Sequence, residues 1–195
     1  MGIHYENTKI HWNYFLALEK DFELLSRYIE FSEENNNTFS IELARIIMSS
    51  SQEVDVIMKN ICALLGKNNA ENINHYRTVI KENLSDLINI EVFISRFGMR
   101  SIPWLNWNEE NKNPIWWKAN NKIKHERTNH FQKANLKNAF NALGALLIVN
   151  LYFYKLEKEN KYNKDIDWKD ITYELNSRDL FMKLDDKYYH QRVFY

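Results

Sequence analysis

Glycine and proline are scarce in this chain, with four Gly and two Pro among 195 residues. So little turn material is met most economically by long helices with few connections. A single cysteine, Cys62, excludes an internal disulfide and any multi-cysteine zinc site. Net charge is absent too, because 26 Lys and Arg balance 26 Asp and Glu. No uninterrupted apolar stretch opens the chain, so MGIHYENTKIHW is not read as a secretory signal. The longest apolar run, Ala142 to Tyr154, contains Gly144 and Asn150 and falls short of the ~18 residues that would suggest a membrane span. The expected setting is the cytoplasm, with no membrane partner.

What is present is an ordinary globular composition, 45% hydrophobic and 27% charged, in a chain long enough for one domain with a sizeable core. Leu16, Phe22, Leu25, Tyr28 and Ile29 give a helical stripe within about Thr8 to Glu33, and Glu19, Asp21, Glu23 and Glu30 give that helix an acidic surface. A second helix starts at Ser40, a plausible N-cap, and stops at Gly66; its apolar residues cover more than one face, so it is expected to be central with Cys62 buried. Ser49, Ser50, Ser51, Glu53 and Asp55 on it are read as a solvent edge, or as the place from which a carboxylate reaches the basic stretch described below.

A third helix is expected over Asn69 to Ile90. The period then changes: IEVFISRFGMRSIPWLNW, with its β-branched residues, Gly and Pro, predicts a hairpin or irregular insertion near Val92 to Trp107. Trp104, Trp107, Trp116 and Trp117 are close in sequence and suit either a core cluster or a platform for stacking on bases. From about Asn135 the longest helix is apolar nearly all round, which makes it the central packing element or part of a subunit interface. Past Lys164, IDWKDITYELNS reads as a short amphipathic helix, followed by an aromatic tail that docks on something.

Positive charge in this neutral chain is local. Between Asn111 and Lys137 stand Lys112, Lys118, Lys122, Lys124, Arg127, Lys133 and Lys137 against one acid, Glu126. Such a patch, with His and Asn beside it, suggests a phosphate-bearing partner. As a helix from Ile115, the stretch puts Ile115, Ala119 and Ile123 on one face and Lys118, Asn121 and His125 on another. Arg127 falls roughly opposite His125, so the two converge only if the helix ends near Glu126 or a second copy takes part. On the second reading of the carboxylates in the second helix, Glu53 or Asp55 orients His125 or Lys124, because a carboxylate beside an imidazole fixes its tautomer.

The segment NNKIKHER, ahead of the long ANLKNAFNALGALL, resembles the motif region of HEPN domains, all-helical modules of prokaryotic defence and toxin–antitoxin systems. The family motif is an Arg, commonly an Asn, three further residues and a His. His125 matches the family His and Asn121 the polar residue, while Asn120 stands where the Arg is expected.

The resemblance implies an all-α helical bundle, with the module over about 38–159 inside a helical domain 1–164, and with 165–195 docking on it. It further implies a metal-independent endoribonuclease that acts as a homodimer, alongside an antitoxin or defence partner protein, with two motifs facing one cleft. His125 would be the acid/base, Asn121 a positioning group, and Arg127 with Lys124 the catalytic contacts to phosphate. Lys118, Lys122 and Lys124 would neutralise phosphates of the RNA.

Two other readings stay open. One is a non-catalytic module binding RNA or a nucleotide through the same patch, which Asn120 favours. The other is an interaction protein in which the acidic first helix and the basic stretch pair within or between chains. His125 and His130 lack a third ligand at helical spacing, and no GxxxxGK, GxGxxG or GxSxG occurs, so neither metal nor cofactor is expected.

Overall fold

The computed structural model describes residues 8–190. Among them are six α-helices and one three-stranded antiparallel sheet, so the chain is mostly helical with a small β insertion. The frame is a pair of helices, α2 (Ile41–Leu64) and α5 (Leu136–Tyr162). Each is started by its own side chain: Ser40 accepts from the Leu43 amide at 3.1 Å, and Asn135 from the Asn138 amide at 3.0 Å, satisfying amides that the first turn leaves unpaired.

An antiparallel bridge between Phe39 and Asn135 ties these two starts together, through Ser40 N to Ala134 O and Leu136 N to Thr38 O. The helices therefore set out side by side and run parallel, and Asn160 still reaches the Leu64 carbonyl at the far end. Gly66 closes α2 at φ +75°, a left-handed conformation that L side chains rarely take.

Helix α5 is long and apolar enough to cross a bilayer by length and composition, but 83% of its apolar window is buried inside the chain. It is the core helix. Its apolar girth, which in sequence suggested a second copy, is covered by the chain itself. Cys62 lies fully buried on α2, and burial pushes its thiol up to about 11. Ser50 and Ser51 are also buried, not on a solvent edge, and their hydroxyls have no partner among the described residues.

Around this pair pack α1 (Ile10–Leu25), α3 (Ile73–Asn83), α4 (Ile115–His130) and α6 (Trp168–Glu174). Helix α1 ends earlier than its stripe predicts. Phe31, 1% exposed, packs on Phe22 at 4.8 Å and on Phe97 at 5.1 Å, and the chain turns out of the helix to bring it there. Tyr28, expected on the apolar stripe, is 84% exposed in those turns. Helix α3 is likewise shorter than Asn69 to Ile90: the extended φ of −141° at Leu84 breaks it, and a 3-10 turn over Ser85–Asn89 buries Leu87 and Ile88 instead.

The expected hairpin is present as β1 (Val92–Ile94) and β2 (Met99–Ser101), turned at Gly98 with φ +65°. A third strand, β3 (Lys183–Leu184), joins the other side of β1, with Val92 opposite Leu184. The sheet sits on α5 at Gly144, where an added Cβ would stand 2.6 Å from Val92 Cγ2 and 3.1 Å from Pro103 Cγ. Only glycine lets the hairpin approach this closely.

In the C-terminal segment Trp168 of α6 lies edge-on to Tyr152 of α5 and to Tyr188; residues 191–195 of the expected tail lie outside the described ones. This segment also engages Glu19. Assigned to an acidic surface by its charge, it is 7% exposed, accepts the Met182 amide at 2.9 Å, and is pushed up to about 7 by its burial.

Candidate nucleic-acid interface

Pro114 enters α4 at the N-cap position, and Trp116, Ala119 and Ile123 form its buried side. Trp104, Trp107 and Trp116 are fully buried against one another, Trp104 and Trp107 with ring centres 4.4 Å apart, and Trp116 Nε1 donates to Pro103 O at 3.0 Å. These three rings are core, and the base-stacking alternative for them lapses. Their burial fixes which side of α4 faces water. That side carries Lys118, Asn121, Lys122, Lys124 and His125, all exposed, while Asn120 is half-buried at its edge.

The helix breaks where the mechanism suggested by the sequence needs it to. Glu126 has φ −136° and ψ 41°, outside the helical region, and the helical path continues beyond it to His130. The Glu126 carboxylate takes Lys122 Nζ at 2.7 Å and lies 3.0 Å from His130 Nε2. These contacts, Lys122 first, hold the carboxyl below its ordinary range.

Lys122 is therefore partly neutralised. Lys118, Lys124 and His125 have no hydrogen-bond or ionic partner among the described residues. Electrostatically the surface is a row of unspent cations around an unengaged imidazole.

Past the break, Arg127 turns toward α2, where its Nη2 reaches Met48 Sδ at 3.7 Å. It does not meet His125: the break at Glu126 is present, but it sends the guanidinium to the α2 side while the imidazole stays on the outer face. Arg127 and Thr128 form one wall of an open groove of about 820 Å³, and Ser49 and Gln52 of α2 form the other. Its floor is Ala44, Met48 and Phe131. No acidic residue lines it. Arg45 at its rim is paired with Asp21 and Glu42.

The carboxylates expected to orient His125 are engaged elsewhere. Glu53 Oε1 lies 2.5 Å from His11 Nδ1, and Asp55 accepts the Tyr76 hydroxyl at 2.9 Å and Lys59 at 2.6 Å. His11 was not singled out in sequence. It stands four residues before Phe15 and eleven before Phe22, on the buried face of α1, and that position was the signal available. Among the described residues, no three His, Cys, Asp or Glu side chains gather in a way that could hold a metal ion.

No protein-family model matches this chain, and no curated protein or solved structure shows significant similarity to it.

Proposed function

We propose that this protein binds single-stranded RNA through the exposed face of α4, as a HEPN-like module of a defence or toxin–antitoxin system. The observation that carries the reading is the row of cations without carboxylate partners: Lys118 and Lys124 on the outer face, and Arg127 in the acid-free groove beside it. Cations that the fold leaves unpaired keep their full attraction for phosphate, whereas those held in ion pairs, such as Lys59 and Lys158, have already spent part of theirs. Lys122 contributes less, since Glu126 shares it.

Cleavage is the extension of this reading, with His125 as acid/base, Asn121 beside it as a positioning group, and no metal involved. An imidazole can take the 2′-hydroxyl proton or protonate the leaving 5′-oxygen, but the phosphorane needs a cation opposite it. Arg127 of the same protomer points away, toward Met48, so for Arg127 to be that cation it must be supplied by a second copy, as a homodimer provides. The non-catalytic binding module is the second reading. Asn120, half-buried and uncharged at the position of the family Arg, favours it.

Fluorescence anisotropy with a labelled single strand tests the binding. The logarithm of affinity should fall with the logarithm of salt with a slope of about 0.7 per neutralised phosphate. Lys124→Ala should lower that slope by roughly one such step. Absence of binding at low salt would leave the patch a solvated helix face.

A further inference from the structure

The groove between α2 and α4 has a composition the phosphate contacts alone do not use. Its floor is apolar and soft, Met48 and Phe131, and the Phe131 ring is held edge-on by Phe39 at 5.6 Å. Its walls present the hydroxyls of Ser49 and Thr128 and the amide of exposed Gln52, whose side chains have no partner among the described residues. Its volume of about 820 Å³ lies within the ~300–1,000 Å³ usual for small-ligand sites. The Arg127 guanidinium stands on its edge over the Met48 sulfur, without an acid to neutralise it.

An occupant complementary to this groove has a flat apolar face, hydrogen-bonding edges and a negative charge beside them. Those are the three features of an unpaired nucleotide. Resting on the reading of α4 as an RNA-binding face, we propose that the groove takes one unstacked base of the bound strand. The base lies on Phe131 and Met48, its edge faces Ser49 and Gln52, and its phosphate is held by Arg127. Continuity supports the assignment: Arg127 and Thr128 of the groove follow exposed Lys124 and His125 directly across the break at Glu126, so a strand leaving the outer face of α4 at that break arrives at the groove mouth.

This makes the protein a reader of single strands over duplexes, since a paired base cannot leave its stack without breaking its pair. It also makes Gln52 a specificity-determining residue, because an amide offers both a donor and an acceptor to a base edge.

The test compares an intact single-stranded oligoribonucleotide with an oligomer of the same length and charge that carries abasic positions. The intact strand should bind wild type roughly tenfold more tightly, as expected for loss of one stacked base. Phe131→Leu, which keeps apolar bulk but removes the ring, should erase most of that preference. Gln52→Leu, at an exposed position, should flatten discrimination among the four bases.

A 4-thiouridine strand should crosslink to the peptides carrying Met48 or Phe131. Equal wild-type affinity for intact and abasic strands, or crosslinks confined to other segments, overturns the groove assignment while the phosphate-based reading of α4 stands. Failure to bind either strand at low salt removes both. A Phe131→Leu change that weakens self-association and leaves the base preference intact assigns the groove to a second copy of the chain and overturns the proposal.

Discussion

The Nδ1 atom of His11 lies 2.5 Å from Glu53 Oε1, across 42 residues of sequence, and the two side chains are only 10% and 16% exposed. This pairing takes Glu53 out of the chemistry of α4 and turns it into a clasp between α1 and α2. Asn60 approaches the other ring nitrogen at 3.5 Å, and Phe153 of α5 meets the imidazole edge-on, so the clasp sits where three helices join.

Glu53→Ala should therefore act on stability and not on RNA. Leaving the His11 ring without its partner in a nearly dry site costs roughly 2–3 kcal/mol. Thermal unfolding should show the loss, and RNA affinity should stay at the wild-type value. A Glu53→Ala protein that melts normally but binds RNA poorly would return Glu53 to the α4 site.

How much was legible in sequence follows from how local each signal is. Ser40, Gly66 and Asn135 are caps whose partners lie within five residues, and the ends of α2 and the start of α5 could be read directly. The Val92 to Ser101 hairpin was visible for the same reason, whereas β3 joins it from about 90 residues away and leaves no local trace.

Glu19 and His11 show a different limit. Both occupy the stripe formed with Phe15, Leu18 and Phe22, so their positions marked them as buried; their polar chemistry suggested the opposite. The partners that make burial tolerable, the Met182 amide for one and Glu53 for the other, come from remote segments. At α4 the residue types were readable but not the direction Arg127 takes, since that depends on the backbone at Glu126.

Glu19 should make stability depend on pH. Burial raises its carboxyl from the ordinary 4.5 to about 7, against the opposing effect of the Met182 and Phe181 amides. Between these values the folded state holds a proton that the unfolded chain releases, so stability falls as pH rises from about 4.5 through about 7. The full span is roughly 3 kcal/mol. Glu19→Gln keeps an acceptor for the Met182 amide without the charge, and should flatten this part of the profile and raise the melting temperature at pH 8. An unchanged profile would mean that another group titrates there.

Gly144→Ala should destabilise although alanine is the better helix former. The added methyl would stand 2.6 Å from Val92 Cγ2 on one side and 3.1 Å from Pro103 Cγ on the other. Overpacking of this kind costs about 1–3 kcal/mol, against a gain of about 1 kcal/mol in helix propensity. Because Val92 is the closer neighbour, Gly144→Ala combined with Val92→Ala should cost less than the sum of the two single changes in denaturant melts. Strict additivity would show that the hairpin does not rest on α5 at this point.

Cleavage turns on Asn120. Residues 116, 120 and 123 fall along one side of α4, the side that carries buried Trp116 and Ile123. Position 125 is about 140° around the helix from position 120. A guanidinium introduced by Asn120→Arg thus stands away from His125 of its own protomer, so a cleft containing both is built from two copies.

Asn120→Arg should tighten RNA binding at every protein concentration. Metal-independent cleavage, leaving cyclic phosphate ends, should appear or rise only where light scattering detects dimer. Adding His125→Ala to that variant should abolish the cleavage and leave binding largely intact, whereas adding Arg127→Ala should weaken both. Cleavage by a strictly monomeric Asn120→Arg protein would show that the two groups meet within one chain and would overturn the geometry argued for α4.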